Sequence, residues 1–383
     1  MHISFLTSEY PEKTSTAGGI ATSIKTLAHG LVKNDCNVTV FIYDKDEDKI
    51  YEEDRIRFIY ISLVYKPFLT WWTNRRKIES VINSNALKYN INLIEAADWT
   101  GITATMNLKI PILIRLHGSD TYFCKIEGRK QKWKNYFFEK LALKNADYIV
   151  SVSKFAADKT IEFFKLKKSI KIIHNGVDEN QFQPTTIINQ DKDIILYVGT
   201  LIRKKGVLDL AKIFNLVVEK NENTVLKLIG TDASDIASGS SSTWELMKKS
   251  FSAKALKQVE YLGKVSHDNV TQYVKDASVC VFPSYAEAFP IAWLEAMAAG
   301  KAIVASNIGW ATECLENDKS GLLEHPSKHQ SFADKIINIL NDKELANKLG
   351  KNARTRVETY FSVQKIVEQN IQYYTSISTK KEK

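Results

Sequence analysis

Phe282-Pro283-Ser284-Tyr285-Ala286-Glu287-Ala288-Phe289-Pro290-Ile291-Ala292-Trp293-Leu294-Glu295-Ala296-Met297-Ala298-Ala299-Gly300 is the stretch that decides how this chain folds. The apolar run 278–282 reads as a buried strand that stops at Pro283. A loop of small residues carries Glu287. The helical pattern then runs over 290–299, with Pro290 suited to the first helical position, where its missing N–H is no loss. A second strand pattern follows at 302–305. Strand, loop, helix and strand in direct succession make a βαβ unit, and such units imply a parallel sheet with right-handed crossovers.

The same alternation extends in both directions. Toward the N-terminus of this half, strand patterns lie at 194–198, 225–229 and 259–262. Helical patterns lie at 207–220, 269–275, 290–299 and 332–340. An earlier series has strands at 3–6, 37–43, 56–61, 93–96, 110–116, 148–152 and 170–173, with helices at 20–33, 72–88, 130–144 and 154–165. Between the series, 181–193 is polar, contains Pro184 and reads as a linker. The expected organisation is two doubly wound α/β domains. Residues 1–180 form the first and 191–361 the second, with a helix over 362–378 packing back on the first. Ligands of open α/β sheets sit beyond the carboxyl ends of the strands, so the expected site is a cleft between the domains. The stretch 231–243, with Ser238-Gly239-Ser240-Ser241-Ser242, reads as a mobile insertion.

The chain has 383 residues, 44% of them hydrophobic and 25% charged, which is enough for two real cores and excludes disorder. Its formal charge of +9 suggests an anionic partner. That charge is local: residues 109–171 hold fifteen Lys or Arg against six Asp or Glu. The segment is either a solvated Lys-rich face or a basic face for polyanions or anionic lipid head groups. Few aromatics interleave with it, so nucleic acid is not the expected partner. The acidic block 44–54 reads as an exposed loop. Near residues 66–77, Phe68, Trp71 and Trp72 precede Arg75-Arg76-Lys77, and this combination either packs as a helix or lies against a membrane. Cys36, Cys124, Cys280 and Cys314 are far apart, which argues against a zinc site and suits a reducing compartment. With neither a leader-like start nor a 20-residue apolar run, the expected location is cytoplasmic, with peripheral contact at the inner face of an anionic membrane.

Three further places carry chemistry. Gly18-Gly19 opens a helix after the first strand, either as an ordinary βα turn or as a backbone approach to phosphate at a helix amino end. Gly199-Thr200-Leu201-Ile202-Arg203-Lys204-Lys205-Gly206 leaves a strand with three cations in a row, read either as a surface charge run or as a counter-charge for a diphosphate. Glu287 and Glu295 could accept hydrogen bonds from sugar or ribose hydroxyls.

Taken together, the chain resembles the retaining glycosyltransferases of family 4, which have the GT-B fold of two facing Rossmann-like domains. The resemblance rests on Glu287-x7-Glu295, the following Ala296-Met297-Ala298-Ala299-Gly300, Gly18-Gly19, His117-Gly118, Asn175-Gly176-Val177-Asp178 and the 199–206 loop. It implies a metal-independent hexosyltransferase that moves a sugar from a nucleotide diphosphate sugar, UDP-sugar first and GDP-mannose second, to a hydroxyl of a glycan or lipid-linked acceptor. Cell-surface polysaccharide synthesis is the implied setting. It also implies that Gly18 and Gly19 approach the donor diphosphate and that Lys205 binds it with Arg203 as helper. Glu287 would hold the transferred sugar, Glu295 the ribose, His117 the reacting centre and Val265 the base. The donor is a co-substrate, and no cofactor or metal is implied. Two departures from the family pattern stand out. Thr200 replaces an arginine, and Ala288-Phe289-Pro290 replaces Gly-Phe-Gly, which shifts backbone contacts to the amides of Phe289 and Ile291. A GT-B-like sugar-nucleotide epimerase and a non-catalytic nucleotide-sugar scaffold are the rival readings.

Overall fold

The computed structural model describes residues 1–14, 18–65, 69–184 and 192–378, with the backbone alone at 267 and 268. The chain divides into two units, Met1–Gly176 with Val363–Lys383, and Val177–Ser362. Residues 177–180 thus belong to the second unit. So does Phe182, fully buried, from the stretch read as a linker. Residues 185–191 of that stretch lie outside the described residues, as do Ala17, Lys66 to Phe68 and the last five residues.

In the first unit the strands are β1 (His2–Thr7), β2 (Asn37–Lys45), β3 (Lys49–Glu53), β4 (Ile56–Ser62), β5 (Leu93–Ala97), β6 (Ile112–Leu116), β7 (Tyr148–Ser151) and β8 (Lys171–Ile172). They form one sheet in the order β3-β4-β2-β1-β5-β6-β7-β8. Only the β3–β4 pair in it is antiparallel. Every residue of β1 is buried, as a central parallel strand covered on both faces must be. Ile3 and Phe5 face one core with Val38, Val40 and Ile42, while Leu6 faces the other with Phe41 and Ile59. The acidic block is not a loop. Lys49–Glu53 pairs with β4, Tyr51 and Tyr60 share a hydroxyl contact at 2.8 Å, and the charges sit on an exposed edge, where they discourage pairing with another sheet.

The second unit has β9 (Asp193–Val198), β10 (Thr224–Ile229), β11 (Val259–Gly263), β12 (Val279–Phe282), β13 (Ile303–Ser306) and β14 (Leu322–Glu324). All are parallel, in the order β11-β10-β9-β12-β13-β14. In each sheet the order reverses at the first strand of the unit: β1 lies between β2 and β5, and β9 between β10 and β12. Loops leaving neighbouring strands on either side of such a switch point diverge, and a crevice opens between them. Among the described residues no helix is long and apolar enough to cross a bilayer.

The structure also corrects local expectations. Pro290 caps the helix Ile291–Ala298 rather than opening it, because its ψ of 118° is extended. The 231–243 stretch is ordered around Asp235, which accepts from the Ser238 amide and hydroxyl. The helices Asp120–Ile126, Thr243–Ser250 and Lys343–Arg356 escaped sequence reading.

The helix Val363–Ser378 belongs to the first unit. It packs on Gly19–Lys33 so closely that a Cβ on Gly30 would come within 2.3 Å of Val367 Cγ2. Beneath it lies a buried charge network. Arg115 on β6 donates to Glu95 on β5 at 2.6 and 2.9 Å and to Asn370 Oδ1 at 2.6 Å, while the Tyr374 hydroxyl donates to Glu95 at 2.7 Å. Buried ions tolerate one another only while fully paired. Arg115→Met should therefore cost about 3–5 kcal/mol in urea unfolding, whereas Tyr374→Phe, which deletes one hydrogen bond to a charge, should cost about 1.5–3 kcal/mol.

Candidate active site

At the switch point of the second unit, two loops are clamped together before any ligand is considered. The loop after β9 is tied down by Gly199 N–H to the Ile229 carbonyl and by Leu201 N–H to Thr231, both at 2.8 Å. It makes the short turn Arg203–Lys205 and enters Val207–Lys220 through Gly206. Gly206 sits at φ +69°, and a Cβ there would lie 1.8 Å from the Pro283 carbonyl oxygen, so only glycine permits the approach. The Lys204 carbonyl accepts from the amides of Tyr285 at 2.7 Å and Ala286 at 3.3 Å.

This clamp sets Lys205 Nζ 2.5 Å from Glu287 Oε1. The Ser284 hydroxyl donates to the same oxygen at 3.0 Å, and Ser306 Oγ holds the Ser284 carbonyl at 2.5 Å. Glu287 is 7% exposed, so its charge needs these partners. Glu295, equally buried, lies on the helix Ile291–Ala298, one turn beyond Ile291. Phe289 is buried with its ring against Phe361, centroids 5.4 Å apart. Val265 is half-buried in the loop between β11 and the helix His267–Asp276.

Arg203 also rests on a carboxylate of this chain. Its Nε and Nη2 fork onto the two oxygens of Asp235 at 2.8 and 2.6 Å. These hydrogen bonds, with those from Ser238, hold the Asp235 carboxyl well below the usual range despite its burial. Of the three cations in the loop, two therefore rest against carboxylates, and the run is far less positive than its composition suggests. Asp235 and Ser284 were missed; an acid three residues before a serine in a turn-rich stretch was the available signal.

In the first unit, the sequence-selected residues follow the carboxyl ends of β1 and β6, two strands apart in the sheet. The Gly18 amide, expected to approach phosphate, donates to Glu9 Oε2 at 3.0 Å, so a carboxylate of this chain holds it; Gly19 opens the helix. His117 follows β6, and its amide donates to Asp98 Oδ1 at 2.9 Å. Asp98 follows β5, is 3% exposed, and its Oδ2 has no hydrogen-bond partner among the described residues. Burial first, opposed by the His117 amide and aided by the Glu139 charge, pushes the Asp98 carboxyl up to about 7. Burial and the Arg115 charge press the His117 imidazole down to about 3, so it stays neutral. Glu139 secures the turn after His117 by accepting from the amides of Asp120 at 3.0 Å and Thr121 at 3.1 Å, and from the Thr121 hydroxyl. Asp98 was legible only as an acid just past a predicted strand end.

Lys205 and Glu287 are thus brought into direct contact, Arg203 is diverted to Asp235, and Gly18, Gly19 and His117 belong to the other unit. Two family models match the chain in succession: Glycosyltransferase Family 4 over residues 17–181 and Glycosyl transferases group 1 over 178–356. An uncharacterized glycosyltransferase of Methanocaldococcus jannaschii is 25% identical, with 98% of each chain covered. Sucrose-phosphate synthase from Thermosynechococcus elongatus matches in structure with a TM-score of 0.79 at 23% identity, over 98% of both chains. Anabaena HepE, solved in complex with UDP-glucose, matches with a TM-score of 0.75 at 19% identity, over 98% of this chain and 100% of its own.

Asp98 and His117 should leave opposite marks on stability. The native state keeps a proton on Asp98 up to about 7, whereas its ordinary value is 3.8, so this residue makes folding weaker as pH rises through that window. The unfolded chain protonates His117 near 6.5 and the native state only near 3, so this residue makes folding stronger as pH rises. Between about pH 4 and 6.5 the two slopes oppose. Relative to wild type, Asp98→Asn should gain stability with rising pH and His117→Gln should lose it, each by up to about 1.4 kcal/mol per pH unit in urea unfolding. A slope of the opposite sign in either variant would overturn the protonation assignment of that residue.

Proposed function

We propose, starting from the fact that this chain belongs to glycosyltransferase family 4 and has the GT-B fold, that it transfers a sugar from a nucleotide diphosphate sugar to a hydroxyl acceptor with retention of anomeric configuration. The observation that carries this reading is the Lys205–Glu287 pair, 2.5 Å apart at the carboxyl ends of neighbouring central strands. A lysine and a glutamate poised on each other are a resting state that a donor can take apart. The diphosphate draws Lys205, with Arg203 beside it, and the released carboxylate accepts hydrogen bonds from sugar hydroxyls. Glu295 accepts from the ribose, Val265 lies against the base, and the amides of Phe289 and Ile291 add backbone contacts.

The bond from the anomeric carbon to the phosphate oxygen breaks while the acceptor oxygen attacks on the same face. The acceptor proton passes to the departing phosphate oxygen. Charge developing on the diphosphate is met by Lys205 and the amino end of Val207–Lys220, with Arg203 joining them by leaving its fork on Asp235, so metal assistance is not part of the proposal. In the first unit, neutral His117 can offer a hydrogen bond without adding charge, and Gly18 and Gly19 keep the donor-side role that the family resemblance gives them. UDP-sugar is the preferred donor, in keeping with the UDP-glucose in HepE, and GDP-mannose comes second. The proposed acceptor is a glycan or lipid-linked hydroxyl in cell-surface polysaccharide synthesis. The enzyme would then work in the cytoplasm, at the inner face of the membrane.

A donor panel read by nucleotide release, with and without lipid-linked acceptors, tests the reading. Release that requires acceptor supports transfer. Conversion of the donor sugar without acceptor points to an epimerase, and neither release nor conversion with any donor points to a scaffold. Lys205→Ala and Glu287→Ala should each lower turnover about 10²- to 10³-fold, and near-normal turnover in both would refute the assignment.

A further inference from the structure

The first unit carries a surface that the transfer reaction does not use. Trp133 and Phe137, one turn apart on the helix Trp133–Asn145, are 71% and 52% exposed. On the helix Thr70–Tyr89, Trp71 and Trp72 are 47% and 46% exposed. The two helices meet through their rings: Trp71 lies 5.3 Å from Phe138, and Phe138 lies 5.5 Å from Phe137. Arg75 stands 4.4 Å over Phe138 and is fixed from behind by the carbonyls of Gly101 and Ile102, both at 3.2 Å. Arg76 lies 5.7 Å over Trp72, and Lys134 5.9 Å over Trp133.

The charge on this face has one sign. Lys130, Lys132, Lys134, Lys140 and Lys144 are all exposed. Glu139, the single acid of its helix, is 1% exposed and turned inward onto backbone amides. Glu79, the single acid of the other helix, is paired with Arg76 at 2.6 Å. Large aromatic rings left in water forgo the gain of burial. Cations alone would suit any polyanion. Tryptophan rings beside lysine and arginine suit a boundary that is apolar on one side and anionic on the other.

We propose that the exposed faces of Thr70–Tyr89 and Trp133–Asn145 dock onto an anionic lipid bilayer. The rings enter the head-group boundary while the lysines meet the lipid phosphates. This deepens the proposed function and rests on its placing of the enzyme at a membrane, yet the physical test needs neither donor nor acceptor. The bound orientation would bring the first unit, and with it His117, to a lipid-borne substrate.

The test is flotation of the full chain with vesicles of phosphatidylcholine alone, or of phosphatidylcholine with phosphatidylglycerol, at low and high salt. Binding should require phosphatidylglycerol and weaken with salt. Each lysine contributes about 1 kcal/mol near such a surface, so Lys130→Gln with Lys134→Gln and Lys140→Gln should weaken binding roughly 100-fold. Trp133→Ser with Phe137→Ser should weaken it at least about tenfold at unchanged charge. Unchanged urea midpoints and nucleotide release with soluble substrates would show both variants folded. No flotation with the anionic vesicles overturns the proposal, as does an aromatic variant that floats like wild type, which would show that the rings do not enter the boundary and that charge alone holds the chain there. Nucleotide release reports on the transfer reading separately, so either can fail alone.

Discussion

A carboxylate withdrawn from water must be answered by the protein, and the arrangement around Glu287 is built to that requirement. It is answered by Lys205 and Ser284, and these can reach it only because the loops after β9 and β12 are fused. The fusion depends in turn on the Lys204 carbonyl taking two amides from the facing loop and on Gly206 having no side chain. None of these bonds involves a ligand. The polar groups are assembled in advance, and the cost of orienting them is met during folding rather than during binding.

At the strand ends that carry the candidate residues, the two units answer buried carboxylates differently, although deeper in the first unit Glu95 is paired with Arg115. In the second, carboxylates are matched by cations, and the Arg203–Asp235 fork shows how far that matching goes. In the first, Asp98 and Glu139 are answered mainly by backbone amides and a hydroxyl, and burial raises the pKa of both carboxyls. Dipoles hold an anion less firmly than a full charge does. Beside β5 the first unit therefore keeps in Asp98 a carboxyl that titrates near neutrality, where the second unit pairs its carboxylates with cations.

The sequence was readable wherever structure follows from local pattern. The strand cores of both sheets, the helix bearing Glu295 and the glycine-flanked loop at 199–206 all declare themselves through apolar runs and turn residues; Lys205 and Glu287 were each singled out, but their contact with one another was not read. What escaped depends on partners remote in the chain. Nothing near Arg203 indicates that Asp235 will take its guanidinium, and a serine-rich stretch is read as loose until a buried acid is seen organising it. The acidic edge strand β3 was invisible because its charge argues against a strand. Only its pairing with β4, supported by Tyr51 and Tyr60, overrides that preference. Asp98 was passed over because its significance lies in an unanswered oxygen, which no sequence displays.

The return of Val363–Ser378 to the first unit has a consequence for the order of synthesis. The second unit is inserted within the first, and its ends are joined by a bridge between Val177 and Ser362. It can close as soon as residue 362 has emerged. The first unit begins earlier but lacks Tyr374 and Asn370, partners of Glu95 and Arg115, until the last helix arrives. On the ribosome, the half that is made first is finished last, and until then its buried ion pair remains open to solvent on the side that the closing helix covers.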